Sequence, residues 1–397
     1  MKQLLTFGLL AQALIALTSI IRIPIVVSSL GVEGFAGYAS ALGCWVLASA
    51  LGEGLRAHSR RDAAATGLSQ LNPGLTYRRA LPLILISTIF SIGVVASVNL
   101  AYQIVDPLVL ILVFVASCLY PLSSSFVGAY EGTKNFTWLH KSLIVGQLLS
   151  FIATIATSFV HSQLALVASV VFPSFLSGVY AYVKMRQNSD NKTKTRLRVS
   201  DKDSDNKKFI AISLFENLAY SLDTTIVLSI AGPAKATVFN LMQRLAVIFS
   251  MVPMILSPKL AVENATRFDK KVTSKYQKRQ SIIAAAVSIP LVLFSPWLYH
   301  IISSGEVEAD FLVAVMAAIN GVLGSWLSPL TQSMIQKDIL KFRAAISFAY
   351  AGLSTALTFL LVVMIGPAGA FLATAIALSC YVLAMWVKFK KGGVHES

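Results

Sequence analysis

Charge is scarce in this 397-residue chain. Asp, Glu, Lys and Arg together make up 13% of it, against roughly 25% in an ordinary soluble domain. Hydrophobic residues make up 56%, and the mean hydropathy is +0.71. A soluble globule has too few charges here to cover so much apolar surface, and a disordered chain is excluded by the same balance. Cysteine is nearly absent. Cys44, Cys118 and Cys380 lie in apolar runs without metal-ligand spacing and read as small core residues. The five histidines, His58, His140, His161, His300 and His395, fall at the ends of apolar runs or in the tail, and none stands in an HExxH pattern. No P-loop is present, so ATP hydrolysis is not expected of this chain. The remaining class is a polytopic membrane protein, with no catalytic role, cofactor or metal expected.

Long apolar runs fill the space those absences leave. A bilayer core about 30 Å thick takes about 20 residues per helix. Runs of that length start near 5–30, 36–55, 81–104, 107–127, 141–160 and 163–183. Six more follow near 209–230, 236–257, 281–302, 310–333, 343–365 and 368–387. The first has no small-residue cleavage site and is kept as a span. Backbone polar groups in lipid must be paired within the segment, so each run is expected to be helical. The expected fold class is an all-α polytopic membrane protein with twelve transmembrane helices in two six-helix lobes. The expected organisation is an N-lobe over 1–184, a polar cytoplasmic linker over 185–208, a C-lobe over 209–389 and a cytoplasmic tail over 390–397.

The basic residues are distributed unevenly. With the amino terminus inside, 30 of the 33 Lys and Arg residues fall in or beside cytoplasmic gaps, including nine around the central linker. Lys235 is the one basic residue in an outer gap. This positive-inside pattern predicts cytoplasmic termini, and it explains the basic pI of 9.7 without a nucleic-acid partner. Most outer gaps are under about ten residues, which leaves no room for an external catalytic domain.

The halves resemble each other. Ile25 to Gly31 (IVVSSLG) aligns with Ile226 to Gly232 (IVLSIAG) at an offset of 201, and Tyr38 then meets Phe239. Tyr120-Pro121-Leu122-Ser123 similarly faces Ser328-Pro329-Leu330-Thr331. Six spans per half beginning on the same side imply a parallel repeat about a pseudo-two-fold axis along the membrane normal. Transporters with that plan place their site between the halves.

Two basic residues, Arg22 and Arg244, fall inside apolar spans. Arg22 lies about 12 Å below the outer end of the first span, near the midplane. Facing lipid there costs at least about 2.5–3.5 kcal/mol, so the side chain is expected to point inward, beside Thr18 and Ser19. Pro24 should weaken the helix around Ile20 and bend it next to the charge. At the repeat offset Arg22 falls on Asp223, so the two either pair or act separately. Glu216, Asn217, Tyr220 and Asp223 form one polar face and are candidates for gating or coupling. Asn240, Gln243 and Arg244 form another. Arg22, Arg244, Asn240 and Gln243 are the candidates for binding an anionic headgroup or glycan, since a guanidinium stays charged and donates in two directions to phosphate. Glu53, Glu131 and Lys134 read as interfacial caps or inner-gate residues.

Those features resemble a known family. Ile25–Tyr38 (IVVSSLGVEGFAGY), Asn217–Phe239 (NLAYSLDTTIVLSIAGPAKATVF, with Asp223) and Ala129-Tyr130-Glu131-Gly132 look like the O-antigen and exopolysaccharide flippases. These belong to the multidrug/oligosaccharidyl-lipid/polysaccharide exporter superfamily. The resemblance covers nearly the whole chain through loose motifs. It implies an inner-membrane protein that flips an undecaprenyl-pyrophosphate-linked oligosaccharide by alternating access, with coupling to a proton or ion gradient in some members. Its implied partners are that lipid-linked oligosaccharide, membrane lipids, and the polymerase and assembly proteins of polysaccharide biosynthesis. The competing readings are a multidrug or cation antiporter of the same fold, which would favour an acidic cavity, and an integral-membrane polymerase or glycosyltransferase.

Overall fold

A computed structural model describes residues 2–66, 73–133, 136–189, 203–246, 260, 270–302, 310–333 and 337–391. Long helices make up nearly all of it: α1 (Lys2–Thr66), α2 (Pro73–Tyr102), α3 (Pro107–Gly132), α4 (Phe136–Ser158), α5 (Gln163–Val171) and α6 (Leu176–Ser189). A 3-10 turn, Phe172–Phe175, joins α5 to α6 into one span. Then come α7 (Asp203–Leu245), α8 (Lys270–Ile302), α9 (Phe311–Ser333), α10 (Lys337–Ile365) and α11 (Pro367–Lys391).

These helices hold eleven segments long and apolar enough to cross a membrane. Their outward faces are apolar. Ile86, Ile89 and Phe90 on α2 and Leu360, Val363 and Met364 on α10 are all exposed at helical spacing, as side chains meeting acyl tails should be. The eleventh-against-twelfth difference has a simple origin. The expected eighth span, 236–257, is described only as far as residue 246, and its described part falls in the same long helix as the seventh, beyond the Gly232 break.

The sharpest local feature is shared by the two halves. α1 contains two spans, Ala13–Gly31 and Glu33–Ala64, joined at Gly31, where φ is 73° and ψ 177°. α7 breaks in the same way at Gly232, with φ 83° and ψ 174°. Backbone in that region is essentially open to glycine alone. The preceding turn matches as well: the Ser28 hydroxyl donates to the Ile25 carbonyl and the Ser229 hydroxyl to that of Ile226, each at 2.9 Å. Residues 201 apart thus repeat in conformation and hydrogen bonding as well as in sequence.

Helical backbone runs through Pro24, and a break not read from the sequence falls seven residues later at Gly31, where a positive φ ends the run of helical dihedrals. The second span also continues past residue 55 to Ala64, so Arg56 and Arg60 are helical and not loop residues.

α1 packs on α3, α4 and α7, while α7 packs on α10 and α11. α8 lies on α9, and α9 on α11. The seam between α1 and α7 is tight. A Cβ on Gly54 would stand 2.8 Å from the Ile210 Cα and from the Phe209 carbonyl oxygen. Phe209 also stacks with His58 and lies under the Arg61 guanidinium, 4.9 Å from its ring centre.

Candidate functional site

Arg22 is 9% exposed. Its Nη2 donates to the Ser150 hydroxyl on α4 at 2.9 Å, and that hydroxyl passes its own proton to the Ser169 carbonyl at 2.8 Å. Thr154 and the Ser169 hydroxyl meet at 2.9 Å beside them. One turn earlier on α1, Thr18 bonds the Leu14 carbonyl at 2.7 Å and reaches Gln147 at 3.4 Å. The arginine is therefore held by the polar edge of α4 and α5, and this follows from helical spacing along α4, where Gln147, Ser150 and Thr154 share a face.

A cavity of about 200 Å³ opens beside the guanidinium. Its wall carries Arg22 and Arg56 together with Gln147 and seven hydroxyls, from Tyr120, Ser123, Ser124, Ser142, Ser150, Ser174 and Ser177. Every lining residue lies between 22 and 177, so the cavity belongs to the first half of the chain. The repeat leads to the expectation of a chamber between the halves; this described cavity is a separate one, on the side where Arg22 meets Ser150 of α4.

Arg56 stands at the cavity's other end. Its guanidinium forks onto Glu131, through Nε to Oε2 at 3.1 Å and Nη2 to Oε1, while Nη1 reaches Glu53 at 3.2 Å. Arg60 reaches the same Glu131 carboxylate at 3.4 Å. Glu131 is 2% exposed, so it is a buried counter-ion for two arginines, where an interfacial cap was expected. Glu53 stays at the rim and accepts from the Tyr120 hydroxyl at 3.4 Å. Lys134 lies outside the described residues.

Asp223 does not pair with Arg22. It is 2% exposed and sits against α10 and α11, where Thr358 donates to Oδ1 at 2.8 Å and Thr374 to Oδ2 at 3.0 Å. The arrangement echoes the first half: a charged residue on the first span of the repeat meets a hydroxyl on the fifth (Ser150 or Thr358) beside the sixth. The sign of the charge is reversed.

The other candidates divide. Glu216 is engaged by Arg343, whose Nε and Nη2 lie 3.1 and 3.0 Å from Oε1, and by the Tyr381 and Ser347 hydroxyls. Arg343 also donates to the Thr331 carbonyl at 2.6 Å. Asn217 donates back to the Ser213 carbonyl at 2.8 Å, one turn earlier on α7. Asn240 and Gln243 come together around Thr224, whose hydroxyl lies 3.2 Å from each side-chain oxygen. They lie in the second half, away from the Arg22 cavity. The side chains of Tyr220 and Arg244 are outside the described residues. Sequence reasoning missed Arg60 and Arg343 as buried groups and Arg56 as a partly buried one. The available signal was helical phase: Arg56 and Arg60 lie four apart, on one face with Gly52.

No family model matches the chain, and no curated protein matches it in sequence. Solved structures of similar fold do. An outward-facing multidrug resistance MATE family transporter of the MOP superfamily is 12% identical, with 98% of both chains covered and a TM-score of 0.60. A mutant of the Vibrio cholerae MATE transporter VcmN is 10% identical, covering 98% of this chain and 96% of that one, with a TM-score of 0.63. The lipid II flippase MurJ, in an inward closed conformation, is 12% identical, covering 97% and 87%, with a TM-score of 0.61. The chain shares the fold of these transporters.

Proposed function

We propose that this protein flips an undecaprenyl-pyrophosphate-linked oligosaccharide across the bacterial inner membrane by alternating access of its two halves, with both termini cytoplasmic. The observation that carries this reading is Arg22: a guanidinium buried in the middle of an apolar span, fixed by Ser150, on the wall of a hydroxyl-rich cavity. Neither charged residue on that wall is acidic, which suits an anionic cargo. The Gly31 and Gly232 breaks supply two halves of matching build, and the shared fold includes a lipid II flippase. Asp223, Glu216, Asn217 and Tyr220 fill the gating or coupling role in this reading, and Asn240, Gln243 and Arg244 contribute glycan or headgroup contacts from the second half. Polysaccharide polymerase and assembly proteins are its proposed partners.

Asp223 favours a second reading, a cation antiporter, because a buried carboxylate with hydroxyl neighbours suits a positive cargo or ion. A deletion strain separates the two. Under the first reading it loses surface polysaccharide and accumulates lipid-linked repeat units on the cytoplasmic face. Arg22→Ala reproduces most of that loss at normal protein level. Normal flipping in the deletion strain, together with a gain in sensitivity to cationic drugs, favours the antiporter.

A further inference from the structure

α8 keeps one face outward along its length. Lys271, Lys275, Lys278, Ile282, Ile289 and Leu293 are all exposed, and their helical spacing puts them on a single stripe. The opposite stripe, with Thr273, Gln277, Gln280, Ala284 and Leu291, is buried. The outward stripe is apolar from Ile282 onward, where it meets acyl tails, and basic before it. Along the helix axis Lys278 stands about 6 Å and Lys275 about 10 Å beyond Ile282, and the headgroup layer beside the hydrocarbon is about 5–7 Å deep. Flexible lysine stems cover the remaining distance.

The same lysines wall a groove. It is open, holds about 550 Å³, and is lined by Lys271, Ser274, Lys275 and Lys278 of α8 and by Phe389 of α11. Phe389 packs against the cluster around Tyr350 and Tyr381, so that wall is anchored in the core of the second half. No carboxylate lies among the described lining residues. Lys275 and Lys278 make no ion pair or hydrogen bond with any described residue. Lysines that only faced water would account for the charge. They would not account for its alignment with the lipid-facing stripe or for the aromatic wall. A ligand with a negative head and apolar chains satisfies both ends of the stripe at once.

We propose that the groove between the ends of α8 and α11 holds one anionic phospholipid of the surrounding bilayer. Its phosphate lies against Lys275 and Lys278, and its acyl chains run along Ile282, Ile289 and Leu293. Basic pockets between membrane helices on the cytoplasmic side attract anionic headgroups in this way, and a lysine ammonium is a mobile point charge that suits a solvated phosphodiester. The site is independent of the transport reading. Only the choice of the inner leaflet rests on the orientation proposed above.

The test uses the full-length protein in neutral detergent, titrated with phosphatidylglycerol or with phosphatidylcholine of the same chains, and counts bound lipids by native mass spectrometry. Saturable binding of a first phosphatidylglycerol is expected, and phosphatidylcholine binds more weakly. Each basic residue near a headgroup is worth about fivefold in affinity, so Lys275→Gln with Lys278→Gln weakens the first site by about tenfold or more. Both lysines are exposed, so that variant keeps the wild-type unfolding midpoint. Lys275→Arg with Lys278→Arg, which keeps the charge, retains the affinity. Arg78→Gln with Arg79→Gln removes an exposed basic pair on α2 and leaves the affinity unchanged. Glycerol phosphate, a headgroup without chains, does not displace the lipid. Equal affinity in the wild type and the double glutamine variant overturns the proposal, as does the absence of saturable binding. An equal loss in the α2 variant also overturns it, because the attraction is then a diffuse effect of net charge. Displacement by glycerol phosphate overturns it in favour of a free-anion site.

Discussion

Glu131 has almost no contact with water, yet two guanidinium groups depend on it. Removing one partner of a buried ion pair typically costs about 3–5 kcal/mol, because the other is left buried and uncompensated. Glu131→Gln should therefore lower the thermal unfolding midpoint in detergent markedly. Glu53→Gln, whose side chain is 45% exposed, should change stability by about 1 kcal/mol or less. Equal shifts for the two variants would show that Glu131 does not anchor Arg56 and Arg60. At this scale the sequence was only partly legible. The depth of Arg22 and Asp223 follows from their position inside apolar runs. The pairings do not: Glu131 lies 75 residues from Arg56, and Glu216 lies 127 from Arg343, so no local periodicity joins them. Basic residues at the edge of a span look the same in sequence whether they are solvated or tucked beneath a neighbouring helix.

Among the elements, the two broken helices carry the clearest signature. Gly31 and Gly232 have open space where a Cβ would stand, so substitution meets no steric obstacle and its whole effect comes from backbone strain. Gly31→Ala and Gly232→Ala should each destabilise by about 1–3 kcal/mol, measured as a fall in unfolding midpoint, while Gly93→Ala, also with open space but at a helical position, should not. A null effect at Gly31 and Gly232 would mean that the breaks are not held in the folded protein. The repeated IVxS pattern before each glycine made the equivalence readable from the sequence. The break at Gly31 was not read from the sequence, since proline advertises a missing donor more loudly than glycine advertises a reversed φ. The length of α1 was hidden for a related reason: the arginines that seem to end the second span have partners inside the bundle.

For the molecule as a whole, the all-helical membrane fold was legible because hydropathy and helical pairing leave few alternatives. The first-half cavity was not, since it depends on Arg22 meeting Ser150 on α4. The α1–α7 seam makes a mechanical prediction. Because the Cβ of Gly54→Ala would press on the rigid backbone of Ile210 and Phe209, α1 and α7 must part at that end. In a cysteine-free background, Ile210→Cys should react severalfold faster with a water-soluble maleimide when Gly54→Ala is also present. An unchanged rate would mean that this seam does not open as a unit.

The reversed charges of the repeat have an electrical consequence. Arg22 and Asp223 each lie nine residues before their glycine break, so they occupy matching levels of the transmembrane field. Moving one elementary charge through the whole field is worth about 2.3 kcal/mol per 100 mV. If both halves move together, as the proposed alternating access requires, the positive and negative contributions of these two residues cancel. On the proposed transport reading, an empty return step would move little net charge through these two residues, and the voltage sensitivity of the cycle would belong to the passenger.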